Sequence, residues 1–135
     1  MMQVYFQNSF ISLTYDLELQ LGIARWRGHL RGPELREAYM LCQELVDRYA
    51  LTRWLADDRK MQSIDPVDLE WSLQVIVPQI AASSILRMAR LPSFSEENRE
   101  AVDMMIDKGH SYDMDLAFRD FLDEQEAMEW LLKPF

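Results

Sequence analysis

A chain of 135 residues, 49% hydrophobic and 27% charged, is long enough for one buried core, too short for two, and far from the composition of a disordered segment. Its formal net charge of −9 is uneven: residues 1–94 carry 10 basic and 11 acidic side chains, and residues 95–135 carry 4 and 12. An acidic excess of this kind argues against nucleic acid and anionic membranes as partners, because both require a basic face.

In chain order, Val4–Phe6, Phe10–Tyr15 and Leu19–Trp26 read as three short strands separated by turns at Gln7-Asn8-Ser9 and Asp16-Leu17-Glu18. The third has two unequal sides, with Leu19, Leu21, Ile23 and Arg25 on one and Gln20, Gly22, Ala24 and Trp26 on the other. Pro33 then opens a helix at the position where a missing N–H costs nothing. Leu35, Ala38, Tyr39, Cys42, Leu45, Val46 and Tyr49 give it an i, i+3, i+4, i+7 apolar stripe. Four arginines, Arg25, Arg27, Arg31 and Arg36, lie near its start and read as a solvated helix end or as a patch for an acidic partner.

Thr52–Asp57 reads as a strand ending in acids. Asp65-Pro66 starts a second helix with an N-cap, and Pro78 is expected to kink or end it. Ile85–Leu91 is a strand stopped by Pro92, Ser95 caps a helix running to Gly109, and Leu116–Phe118 is a last short strand. Asp123 and Glu126 have the spacing of a capping box, opening a helix through Leu131. The order βββαβαβαβα predicts an α/β fold: one domain, residues 1–135, with a mixed sheet and three to four helices.

The chemistry-bearing residues are few. Gly22, Gly28, Gly32 and Gly109 compose no phosphate-binding loop, and His29, His110 and the single Cys42 show no metal-ligand spacing, so no metal and no cofactor are expected. Cys42 reads as a buried small hydrophobe. The N-terminus lacks the pattern of a secretory signal and no apolar run reaches ~20 residues, which makes a reducing cytoplasm the expected location. The candidate site is Asp57–Asp65, taken as the link from a central strand to a helix N-terminus, where ligands of open α/β sheets gather and anions are favoured. Asp57, Asp58, Arg59 and Ser63 are its candidate residues. A purely structural account, in which Asp57 ends the strand, Asp65 caps the helix and mixed charges solvate the loop, is the stronger of the two readings. Paired aspartates after a strand also suit a two-component receiver, but Pro92-Ser93 stands where a receiver needs a lysine.

The succession Trp26-x-Gly28, the helix from Pro33, Trp54-Leu55-Ala56-Asp57-Asp58-Arg59, Asp68-Leu69-Glu70-Trp71, Arg87-Met88-Ala89, Phe121 and Ala127-Met128-Glu129-Trp130-Leu131 resembles the STAS/SpoIIAA-like family over residues 3–132. It is especially similar to small stand-alone bacterial members labelled STAS/SEC14-like. The resemblance implies a non-enzymatic signalling module that binds a partner protein, with a switch by phosphorylation of Ser63 in the loop before the second helix. The sequence departs from the family here, having neither an Asp-Ser-Ser-Gly approach nor a run of small residues. Homodimerisation through strand edges or the Met-rich stretch Ala101–Ile106 is a second expectation. Nine Met and four Trp, with the SEC14-like label, raise a small apolar ligand or lipid as an alternative. An enzyme is the remaining one, with Asp57, Asp58 and His29 its only nameable acids and bases.

Overall fold

In a computed structural model, which describes residues 1–113 and 115–135, six strands form one sheet in sequential order. They are β1 (Gln3–Gln7), β2 (Ile11–Asp16), β3 (Leu21–Gly28), β4 (Arg53–Met61), β5 (Arg87–Leu91) and β6 (Ala117–Asp120). The first three pair antiparallel through short turns, and β3 to β6 pair parallel. Each parallel step is bridged by helix: α1 (Pro33–Tyr49), then α2 (Pro66–Trp71) and α3 (Val77–Ala81), then α4 (Glu96–His110). A last helix, α5 (Glu124–Leu131), follows β6. Among the described residues no helix is long and apolar enough to cross a membrane.

The period-2 alternation of the strands divides the core in two. Gly22, Ala24 and Trp26 of β3 and Trp54 of β4 face α1, where Leu35, Ala38, Leu45 and Val46 are buried as the helical spacing predicts. The alternate positions Leu21, Ile23, Leu55, Ala89 and Leu91 pack on Ala127 and Leu131 of α5. Trp26 and Tyr39, with ring centroids 4.9 Å apart, join β3 to α1. On the other side, Arg53 Nε donates to the Leu131 carbonyl at 2.6 Å, satisfying a free acceptor at the end of α5.

The structure departs from the sequence reading at several places. The second turn spans Leu17–Gln20, so β3 begins at Leu21 rather than Leu19. Pro78 does not end the second helix: Ser72–Ile76 forms a π-helical turn in which the Val77 N–H reaches the Ser72 carbonyl, and α3 continues through the proline. The wider turn rearranges the hydrogen bonding just before a residue that cannot donate. Asp65 occupies the N-cap position of α2, but its carboxylate does not cap; it meets His29 Nε2 at 2.8 Å.

Gly22 shows how tightly the α1 side is packed. A Cβ at this position would lie 2.4 Å from Trp54 Cζ3, so only glycine lets the indole lie flat on the neighbouring strand. Gly22→Ala is therefore expected to lower stability by about 1–3 kcal/mol through overpacking. Urea unfolding of the two proteins measures it; an unchanged midpoint would mean the indole has room to move.

Candidate functional site

The candidate residues sit on a strand rather than a loop. β4 runs to Met61, so Asp57, Asp58 and Arg59 are strand residues, and only Gln62–Asp65 is a link to α2. Strand alternation sends the two adjacent aspartates to opposite faces of the sheet. They share no site.

Asp57 points to the α5 side. Its carboxylate accepts from Arg25 Nη1 at 2.8 Å, from Arg59 Nε at 2.9 Å and from Arg59 Nη2 at 3.0 Å. Arg25 continues the network to Glu124 in the first turn of α5, at 2.7 Å and 3.2 Å. Burial opposes ionisation of Asp57, but the two guanidiniums outweigh it and hold its carboxyl below the usual range. Arg25 likewise lowers Glu124. Each of these charges is committed to a neighbour, and the arrangement joins β3, β4 and α5. The remaining early arginines are also engaged: Arg27 with the Asn8 carbonyl, Arg31 with Asp65, and Arg36 with Asp68 and the Trp71 ring. The expected basic patch is thus largely tied up within the chain.

Asp58 points the other way, into a cavity of about 140 Å³ between the sheet and the helices of the α1 side. The floor is Trp54, Ala56, Met88 and Phe118; the roof is Cys42 of α1, Ile76 and Val77 of the π turn and α3, and Val102 and Met105 of α4. The lining is overwhelmingly apolar, with Asp58 and Arg90 its charged groups from the sheet. Asp58 is 5% exposed, yet among the described residues it accepts no hydrogen bond and forms no ion pair. Burial pushes its carboxyl up to about 7, with Arg90 opposing and Asp57 and Asp120 adding to the rise. Arg90 is spoken for by others: Nε and Nη2 hold Asp120, and Nη2 also holds Asp103. Burial also pushes the Cys42 thiol up, away from a reactive thiolate.

The roof owes its shape to the irregular helix, since the π turn brings Ile76 and Val77 over the floor. π turns are frequent at functional sites. Sequence reasoning missed Arg90 and the cavity. A charged residue at an inward position of the apolar strand Ile85–Leu91 was the available signal for the first. Ser63, by contrast, is where it was expected: half-buried in the link after β4, at the carboxyl end of the parallel strands. It lies apart from both Asp57 and the cavity lining.

Two solved structures have the same architecture. A DUF3478-family protein with a SpoIIAA-like fold from Shewanella loihica PV-4 superposes with a TM-score of 0.57 at 12% identity, covering 97% of this chain and 92% of that one. The fold is SpoIIAA-like. SiaC of Pseudomonas aeruginosa aligns with a TM-score of 0.50 at 7% identity, over 91% of this chain and 98% of its own. No family model and no curated protein matches the sequence. The STAS/SpoIIAA-like resemblance read from scattered aromatic and apolar positions therefore holds at the level of fold.

Asp58 makes stability depend on pH in a definite direction. In the folded protein it keeps its proton up to about 7, whereas the unfolded chain releases it near 3.8. Between those values the folded state binds more protons, so stability contributed by this site is full below 3.8 and falls as pH rises through 7. Asp58→Asn removes the effect. The variant is expected to gain about 2 kcal/mol relative to the parent between pH 5.5 and pH 8, measured by urea unfolding at both values. A constant difference between the two proteins would place the Asp58 proton elsewhere.

Proposed function

We propose that residues 1–135 act as one non-enzymatic regulatory module of the cytoplasm, which binds a protein partner through the carboxyl end of its parallel strands. The observation that carries this reading is the placement of three exposed apolar side chains at that end. Phe94, after β5, is 77% exposed; Leu122, after β6, is 94% exposed; Val67, in the first turn of α2 after β4, is 72% exposed. Their loops are neighbours, because β4, β5 and β6 are adjacent and the Phe94 N–H donates to the Arg59 carbonyl. Apolar groups gathered at one edge and ringed by polar loops are what a partner's core contacts cover.

Ser63 stands in the same set of loops. A phosphate there adds nearly two negative charges beside Lys60, which is exposed, and close to Asp65. Its charge would alter the rim of the docking surface without disturbing either core. The SpoIIAA-like fold supports a regulatory role for such a surface, and a second copy of the chain is one partner it would suit.

The test is crosslinking in the source cell with purification and mass spectrometry, comparing the parent, Phe94→Ser with Leu122→Ser, and Met40→Ser on the exposed side of α1. The expected result is a protein set held by the parent and Met40→Ser and reduced at least tenfold by the double substitution. Crosslinked self-pairs among the recovered peptides identify a second copy. Equal recovery by all three proteins would sink the reading.

A further inference from the structure

The cavity under α1, the π turn and α4 carries an inference independent of the docking surface. Its apolar volume, about 140 Å³, is close to that of cavities known to take a single benzene ring. An apolar cavity of this size accommodates a ligand without any polar group. This one contains Asp58, nine-tenths buried and without a hydrogen-bond partner among the described residues. Its oxygens open onto the cavity rather than being sealed in protein, and a carboxyl in so apolar a place, with no donor from the chain, is costly to maintain without a partner. Nothing in the fold uses it: the strand's neighbouring acid, Asp57, does the work of tying β4 to α5. An apolar side chain at position 58 would avoid that cost.

The surroundings restrict what the carboxyl would recognise. A ligand carboxylate would face Asp58 itself, with Asp120 and Asp103 held nearby on Arg90. A ligand ammonium would meet Arg90, which lines the same cavity and whose charge is felt at Asp58. Arg90 Nη1, unlike Nε and Nη2, donates to no described residue. An acceptor and a spare donor on two residues that line one otherwise apolar space suit a neutral group that both donates and accepts. A hydroxyl is the smallest such group.

We propose that this cavity is a binding site for a small, one-ring phenol or alcohol, with its hydrocarbon body against Ala56, Ile76 and Val102 and its hydroxyl donating to Asp58. Half-buried Ile106 and exposed His110 belong to the lining, and their exposure makes that side the route of entry under this proposal. Discrimination rests on the hydroxyl: a site that has to satisfy a buried polar group rejects the analogue lacking it more strongly than a purely apolar site rejects a missing methylene.

The experiment uses phenol and benzene as probes, with binding to the full chain followed by amide chemical shifts and calorimetry. The expected result is that phenol binds at least tenfold more tightly than benzene, with shifts concentrated at Ile76, Val102 and Ala56. Asp58→Leu is expected to remove that preference while keeping benzene binding, and Ile106→Trp to weaken both probes by intruding on the lining. Because Asp58→Leu also relieves a buried carboxyl, its folding is not in jeopardy, and Asp58→Asn provides a second variant of the same shape. Equal affinity of the parent for the two probes, no shifts at the cavity residues, or a phenol preference that survives Asp58→Leu would each overturn the proposal.

Discussion

β4 is covered on both faces and paired along both edges, and that constraint organises everything else in the molecule. A strand so enclosed is expected to be apolar throughout, and its stretch Trp54-Leu55-Ala56 is. Its second half carries Asp57 and Asp58, and because adjacent side chains alternate, each face must accommodate one buried acid. The two faces do so differently. On the α5 side, Arg25, Arg59 and Glu124 surround Asp57 in a network that spans three elements. On the α1 side, among the described residues no donor reaches Asp58, which lines the apolar cavity instead.

This asymmetry separates scaffold from site. The Asp57 network fixes α5 against the sheet, and the pairing of Arg53 and Arg87 with the carbonyls at the end of the same helix holds its far end. That side is cross-braced by charge. The opposite side relies on apolar packing under an irregular helical roof, where Pro78 and the preceding π turn interrupt the regular ladder. Fewer regular backbone bonds make such a segment the natural place for the fold to open locally. The cavity with its partnerless carboxyl lies directly beneath it. At the sheet's carboxyl end, the exposed Phe94 and Leu122 are carried on loops anchored by the Phe94 N–H to the Arg59 carbonyl and the Phe121 N–H to the Arg90 carbonyl, and the exposed Val67 stands in the first turn of α2.

Much of this was legible in the sequence. The helix from Pro33 and the two faces of β3 followed from periodicity and proline placement, and the scattered Trp, Gly and Phe positions carried the SpoIIAA-like resemblance. The extent of β4 was not legible, because four successive charges, Asp57 to Lys60, read locally as a loop. The distant partners of Asp57 and Arg59 are Arg25, before them in the chain, and Glu124, after, and this tertiary pairing overrides local polarity. Asp65 read as a cap for the same reason: its competing partner, His29, is brought to it only by the fold. Ser63 was placed correctly in a loop but separated from the aspartates once grouped with it. The cavity has no sequence signature, since it is the space left among α1, the π turn and α4. Pro78 and Arg90 were its only traces, one marking the irregular roof and the other a charge within an apolar strand.

The most direct measurement of the central claim is the carboxyl carbon resonance of Asp58 followed through a pH titration by NMR, assigned with Asp58→Asn. An acid held in an apolar cavity without a donor titrates near 7, while Asp57, gripped by two arginines, titrates below its ordinary value. An Asp58 resonance that titrates at or below 3.8, its ordinary value, would show a solvated or hydrogen-bonded carboxylate and contradict the account.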